Sequence, residues 1–80
     1  MAQSTYNARV LVLRKTKLGE SDLILSLLAQ DGSQIRAVAK GARKPSSQFS
    51  SRLELYSQAD VLLARGRSLD IVKEARLIAG

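Results

Sequence analysis

The eighty-residue sequence predicts an all-β fold in which five short strands close into a small barrel, with a long basic loop between strands three and four. Three observations carry this. Apolar and polar residues alternate at period two through most of the chain, the spacing of half-buried strands. Asp31-Gly32 stands between two apolar runs, among the strongest local hairpin signals. Five short strands cannot leave both sheet edges bare and still enclose a core. Closure solves this, and the five-stranded OB-fold is the common solution at this size, with an SH3-like barrel as the alternative.

Residues 6–16 read as the first strand, with Val10 and Val12 pointing one way and Leu11 and Leu13 the other. Residues 17–21 form a turn around Gly19. Residues 22–30 are ambiguous. Leu23, Leu25, Leu27 and Ala29 share a strand face, yet Ile24 and Leu28 with Leu23 and Leu27 also meet helical spacing, and leucine favours helix. The Asp-Gly turn that follows favours the strand. Residues 33–40 alternate cleanly, Ile35, Ala37 and Ala39 against Gln34, Arg36, Val38 and Lys40.

Residues 41–51, with small side chains, the one proline and adjacent Arg43 and Lys44, read as a loop that allows a short helical turn after Pro45. A connection that long in a compact domain is often functional or disordered. Residues 53–64 resume an extended pattern with Leu53, Leu55, Ala59, Val61 and Leu63 on one face. Arg65-Gly66-Arg67-Ser68 reads as a tight turn, and residues 69–79 as the last strand, although Ile71, Ala75 and Ile78 also fit a helix.

A chain of this length makes one domain and buries roughly 60–65% of the surface its unfolded form exposes. No run approaches the ~18 apolar residues a spanning helix needs. Met1-Ala2-Gln3-Ser4-Thr5 shows no export signal, and there is no cysteine for a disulfide or zinc-thiolate site. A cytoplasmic location is expected. Thirteen Lys and Arg against seven Asp and Glu give a formal net charge of +6. Such a balance points to a polyanion partner, although charge by itself also serves solubility. Its distribution favours the partner. No acid lies between Asp31 and Glu54, where Arg36, Lys40, Arg43, Lys44 and Arg52 all fall.

Three stretches, in order, resemble the RecO family. The first is Ala8-Arg9-Val10-Leu11-Val12-Leu13-Arg14 followed by Gly19-Glu20-Ser21-Asp22. The second is Val38-Ala39-Lys40-Gly41-Ala42-Arg43-Lys44-Pro45, similar to that family's basic loop. The third is Asp60-Val61-Leu62-Leu63-Ala64-Arg65-Gly66-Arg67. Together they cover nearly the whole chain.

The resemblance implies that residues 1–80 are an N-terminal OB-fold domain, with the family's helical and zinc-binding parts absent. The ending Ile78-Ala79-Gly80, straight after an apolar strand, fits such a boundary. It also implies a DNA-binding module in recombinational DNA repair that holds single- and double-stranded DNA, anneals strands and loads RecA together with RecR. The single-strand-binding protein would be met only through parts absent here. A protein-docking barrel, binding mainly RecR through the basic loop, is the other reading. A basic RNA-binding barrel of the translation apparatus fits the charge but not the ordered matches.

The candidate DNA-binding residues follow from loop placement. Lys40, Arg43 and Lys44 sit where a glycine-led loop can bring backbone N–H groups and side chains to one phosphate, against the plainer reading of a solvated loop. Arg36 shares a strand face with Lys40. Arg65 and Arg67 occupy the turn between the last two strands, and Arg14 and Lys15, with Lys17 beyond them, lead into the first turn; these loops flank the ligand groove of an OB-fold. Arg9, Lys73 and Arg76 read as the polar sides of their strands.

Phe49 is the expected loop ring, with Tyr6 and Tyr56 as core or rim residues, so base stacking is a minor expectation and phosphate charge the major one. No enzyme is expected. There is no His for acid–base work and no Cys nucleophile, and Asp22, Asp31, Asp60 and Asp70 are scattered. Gly41-Ala42-Arg43-Lys44 lacks the spacing of a P-loop. Glu20 and Asp22 are expected to bond their local backbone. No cofactor is expected.

Overall fold

A computed structural model describes residues 4–49 and 51–80, and every regular element among them is a strand. These are β1 (Thr5–Leu18), β2 (Asp22–Ala29), β3 (Gln34–Ala39), β4 (Gln58–Ala64) and β5 (Asp70–Ala79). They close in the order β1-β2-β3-β5-β4. The first three form an antiparallel meander, β4 pairs antiparallel with both β1 and β5, and β5 meets β3 in parallel at Ala37↔Asp70 and Val38↔Ile71. This is the five-stranded OB-fold arrangement. The segments whose spacing also fitted a helix are extended because each has a neighbour to complete its backbone hydrogen bonds, and tertiary pairing overrides leucine's helical preference.

Alternation sets the inner face. Val10, Val12, Leu25, Leu27, Ala37 and Ala39 are buried from the meander, and Ala59, Val61, Leu63, Val72 and Ala75 from the closing pair. Burying each Val or Leu contributes about 1.5–3 kcal/mol. The β2–β3 turn is fixed as its sequence predicts: the Asp31 carboxylate accepts the Ser33 amide at 2.9 Å and hydroxyl at 2.6 Å, and Gly32 adopts φ 88°.

Two features depart from simple alternation. A bulge between Val12 and Arg14 in β1 shifts its register against β2. The fourth strand begins at Gln58, not near residue 53. Leu53 is buried, but its amide bonds the Phe49 carbonyl at 3.1 Å in a helical turn. The backbone then reverses through Tyr56 at φ 64°, which leaves Leu55 45% exposed rather than inward. Ser57 holds the inward position there, its hydroxyl donating to the Glu54 carbonyl at 2.6 Å. The buried Leu53 and Ser57 therefore imitate a strand spacing without a strand.

The connection between β3 and β4 thus spans residues 40–57, of which Ser50 lies outside the described residues, as do residues 1–3. The turn after Lys44 closes with the Ser47 amide on the Lys44 carbonyl at 3.0 Å, Pro45 presetting its φ. Farther along, Ala42, Phe49 and Leu53 join the core and plug the end of the barrel.

Candidate nucleic-acid interface

The β1 bulge decides which basic residues meet. Directly opposed residues of an antiparallel pair share a face. Beyond the bulge Lys15 lies opposite Leu25 and Lys17 opposite Leu23, so both turn to the side of the barrel's interior, where β1 runs past the core. Unbroken alternation from Val12 would have sent them the other way.

The β3–β4 connection is fastened against that side. The Asp22 carboxylate accepts the Gly41 amide at 2.7 Å, the Ser21 carbonyl accepts the Arg43 amide at 2.9 Å, and the Gly19 carbonyl accepts the Arg43 guanidinium at 2.7 Å. Asp22 therefore bonds a distant loop rather than its own turn, contrary to the sequence expectation. Gly41 adopts φ 70°, a conformation L side chains rarely take, and so lets the chain turn there.

Between β1 and this loop lies a cleft of about 410 Å³. Lys15, Lys17, Arg43 and Lys44 surround it, with Leu23, Phe49 and Leu53 beneath and Pro45 at the side; no acid lines it. Lys44 also borders a second hollow of about 420 Å³, with Lys40 and Gln48. Lys15 and Lys17 are two strand residues apart, about 6.7 Å. Two unit charges at that distance repel by roughly 0.6 kcal/mol in water, which a bound anion relieves.

Arg14 faces outward instead. Opposite it is Ser26, and opposite Ser26 is Arg36, so one row across β1, β2 and β3 carries a guanidinium at each end. The pairing Ala37↔Asp70 brings the β4–β5 turn alongside Arg36. Arg67 is exposed on that turn. Arg65 is committed otherwise, its guanidinium 4.3 Å from the centre of the Tyr6 ring. Of the eight candidates, Lys15, Arg43 and Lys44 meet at one cleft, Lys40 adjoins it, and Arg14 and Arg36 share the outer row. Lys17 belongs with the cleft set; its signal was the period-two spacing from Lys15.

The largest cavity, about 620 Å³, lies elsewhere, on the outer side of β1, β4 and β5. It is occupied by ionic contacts of the fold itself. Arg9 bonds the Asp60 carboxylate at 2.9 and 3.2 Å, and Arg76 bonds it at 2.9 Å. Hydrogen bonds from Arg9 first, then Arg76, hold Asp60 down at about 2. The placement of Arg9 and Arg76 as strand-side residues agrees with this.

The aromatics need correction. Phe49 is 6% exposed and belongs to the core, so it offers no loop ring. Tyr56, expected in the core or at the rim, is 68% exposed. Tyr6 packs partly buried against the core. Among the described residues no group of three His, Cys, Asp or Glu could hold a metal, and no helix is long and apolar enough to cross a membrane.

Comparison with known proteins matches residues 1–80 to the family described as recombination protein O, N terminal. The chain is 49% identical over 76 residues to the DNA repair protein RecO of Bifidobacterium longum (strain DJO10A), covering 95% of this chain and 32% of that protein. It is 50% identical over 74 residues to the RecO of Bifidobacterium adolescentis, covering 92% and 30%. It is 45% identical over 73 residues to that of Nocardioides sp., covering 91% and 30%. The chain thus spans about a third of the length of these relatives. With the barrel and the matched length together, the chain belongs to the recombination protein O N-terminal family.

Proposed function

We propose that this chain is a DNA-holding module for recombination repair, gripping the phosphates of single- and double-stranded DNA without catalysis. The observation that carries the reading is the sidedness of the charge. Lys15, Lys17, Arg43 and Lys44 meet at a cleft with no acid in its lining, while Asp60 and Glu74 line the cavity on the β4–β5 side. The name of the relatives, DNA repair protein, supports the same reading.

Fluorescence anisotropy of a labelled oligo-dT strand across a salt series tests it. With ~4 phosphates neutralised, at a slope of roughly −0.7 each, affinity falls about fifty-fold between 50 and 200 mM salt. A loss under about fivefold rejects the electrostatic grip.

A second reading is a protein-docking barrel, with RecR as the partner implied by the family resemblance. The exposed Leu55, Tyr56, Leu77 and Ile78 favour it. Replacing Lys40, Arg43 and Lys44 with Ala separates the two. The DNA reading expects weaker binding to every sequence and a shallower salt slope. The docking reading expects DNA binding nearly unchanged and RecR association weakened.

A further inference from the structure

We propose that the cleft between β1 and the β3–β4 connection holds one unstacked nucleotide of a single strand, its base on the apolar floor and its flanking phosphates on the lysines. This rests on the DNA-holding reading and deepens it from charge alone to the seating of a base.

The cleft is more than a charged patch. Its volume of about 410 Å³ falls in the range of small-ligand pockets. Its floor is Leu23, Phe49 and Leu53, and Pro45 stands at its side. A pure phosphate track has no need of an apolar floor, which a phosphate would only dehydrate against. A flat base fits such a floor, since every base has a π-face and contact there is tolerant of sequence. The cations stand around it. Lys15 and Lys17, two residues apart on one strand face, repeat at a spacing comparable to the step between successive phosphates of an extended strand. Arg43 and Lys44 face them from the loop.

The site is also built before any ligand arrives. Asp22, Ser21 and Gly19 fix Gly41 and Arg43 through three hydrogen bonds of 2.7 to 2.9 Å. Phe49 and Leu53 anchor the far part of the same loop in the core. Little ordering is left for binding to impose, which favours a defined seat over loose charge attraction. An acidic peptide is the competing occupant. The regular Lys15–Lys17 repeat and the flat floor favour the nucleotide.

The test compares two labelled strands of equal length and charge, oligo-dT and an abasic strand, against the full chain. The expected result is that oligo-dT binds at least about fivefold more tightly, the lower bound for one base contact. In K17E/K44E, two exposed positions, that ratio falls to about one. In R14A/R36A both strands weaken alike and the ratio stays. Circular dichroism confirms that each variant keeps its fold, and Lys17→Met with Lys44→Met serves in place of any variant that does not.

Equal binding of the two strands by the unaltered chain overturns the base seat while leaving the phosphate grip intact. A ratio that survives in K17E/K44E places the base elsewhere and also overturns it. Displacement of oligo-dT by polyglutamate of equal charge, as effective as by unlabelled oligo-dT, assigns the cleft to acidic peptides. Absence of binding to either strand at low salt overturns both the seat and the DNA-holding reading.

Discussion

The Tyr6 hydroxyl donates a hydrogen bond to the Asp70 carboxylate, tying the first strand of the barrel to the start of the last. The other oxygen of that carboxylate accepts the Gly66 amide at 3.0 Å, and Arg65 lies over the Tyr6 ring. One side-chain pair therefore fixes the β4–β5 turn against β1. Burial first, then the bond to Asp70, pushes the Tyr6 phenol up to about 12.

The alkaline consequence has a definite sign. The folded state favours the neutral phenol, whose unfolded value is about 10. Its stabilisation is present below about pH 10 and fades as the pH rises toward about 12. Urea unfolding midpoints measured against pH should decline over that window. In Tyr6→Phe the decline should be shallower, and the late tyrosinate absorbance step should vanish.

Acid acts through Asp60. Its carboxyl is held at about 2 by Arg9 and Arg76, below the unfolded value of about 3.9. The stabilisation is present above about pH 4 and is lost as the pH falls toward 2. Asp60→Asn should flatten the acid limb of the stability curve in that interval. A slope should remain, because Asp70 is also held below the usual range by its bond from Tyr6 and the Gly66 amide.

Gly66 has no room for a side chain. A Cβ built there would lie 2.0 Å from the Leu69 carbonyl oxygen, a backbone atom that cannot swing aside. Gly66→Ala should cost about 1–3 kcal/mol, the usual scale for forced overpacking. It should lower the urea midpoint without changing the m-value.

The outer row offers a separate check on the phosphate grip. Arg14 and Arg36 flank Ser26 on neighbouring strands and are both exposed. Replacing both with Ala should weaken single-stranded DNA binding uniformly across sequences. The salt slope should become shallower by about 0.7 for each phosphate no longer neutralised. An unchanged slope would remove this row from the interface.

The strand content, the Asp31-Gly32 hairpin, the inward faces of β1 to β3 and the basic character of the β3–β4 connection were all legible in the sequence. They depend on period-two spacing and turn chemistry, which are local. The sequence also singled out Lys40, Arg43 and Lys44 through their acid-free surroundings. Four things needed the tertiary structure. The bulge after Val12 turned Lys15 and Lys17 toward the loop, because one extra residue reverses every side chain beyond it. Tyr56 entered a left-handed conformation, which delayed β4 to Gln58 and left its ring exposed. Phe49 went to the core rather than to solvent, because the open end of a closed barrel needs an apolar plug and the loop passes over it. Asp22 reached across to Gly41 and set the loop against the cleft. Residue types and spacing determined which side chains were available; pairing between distant segments decided which of them met.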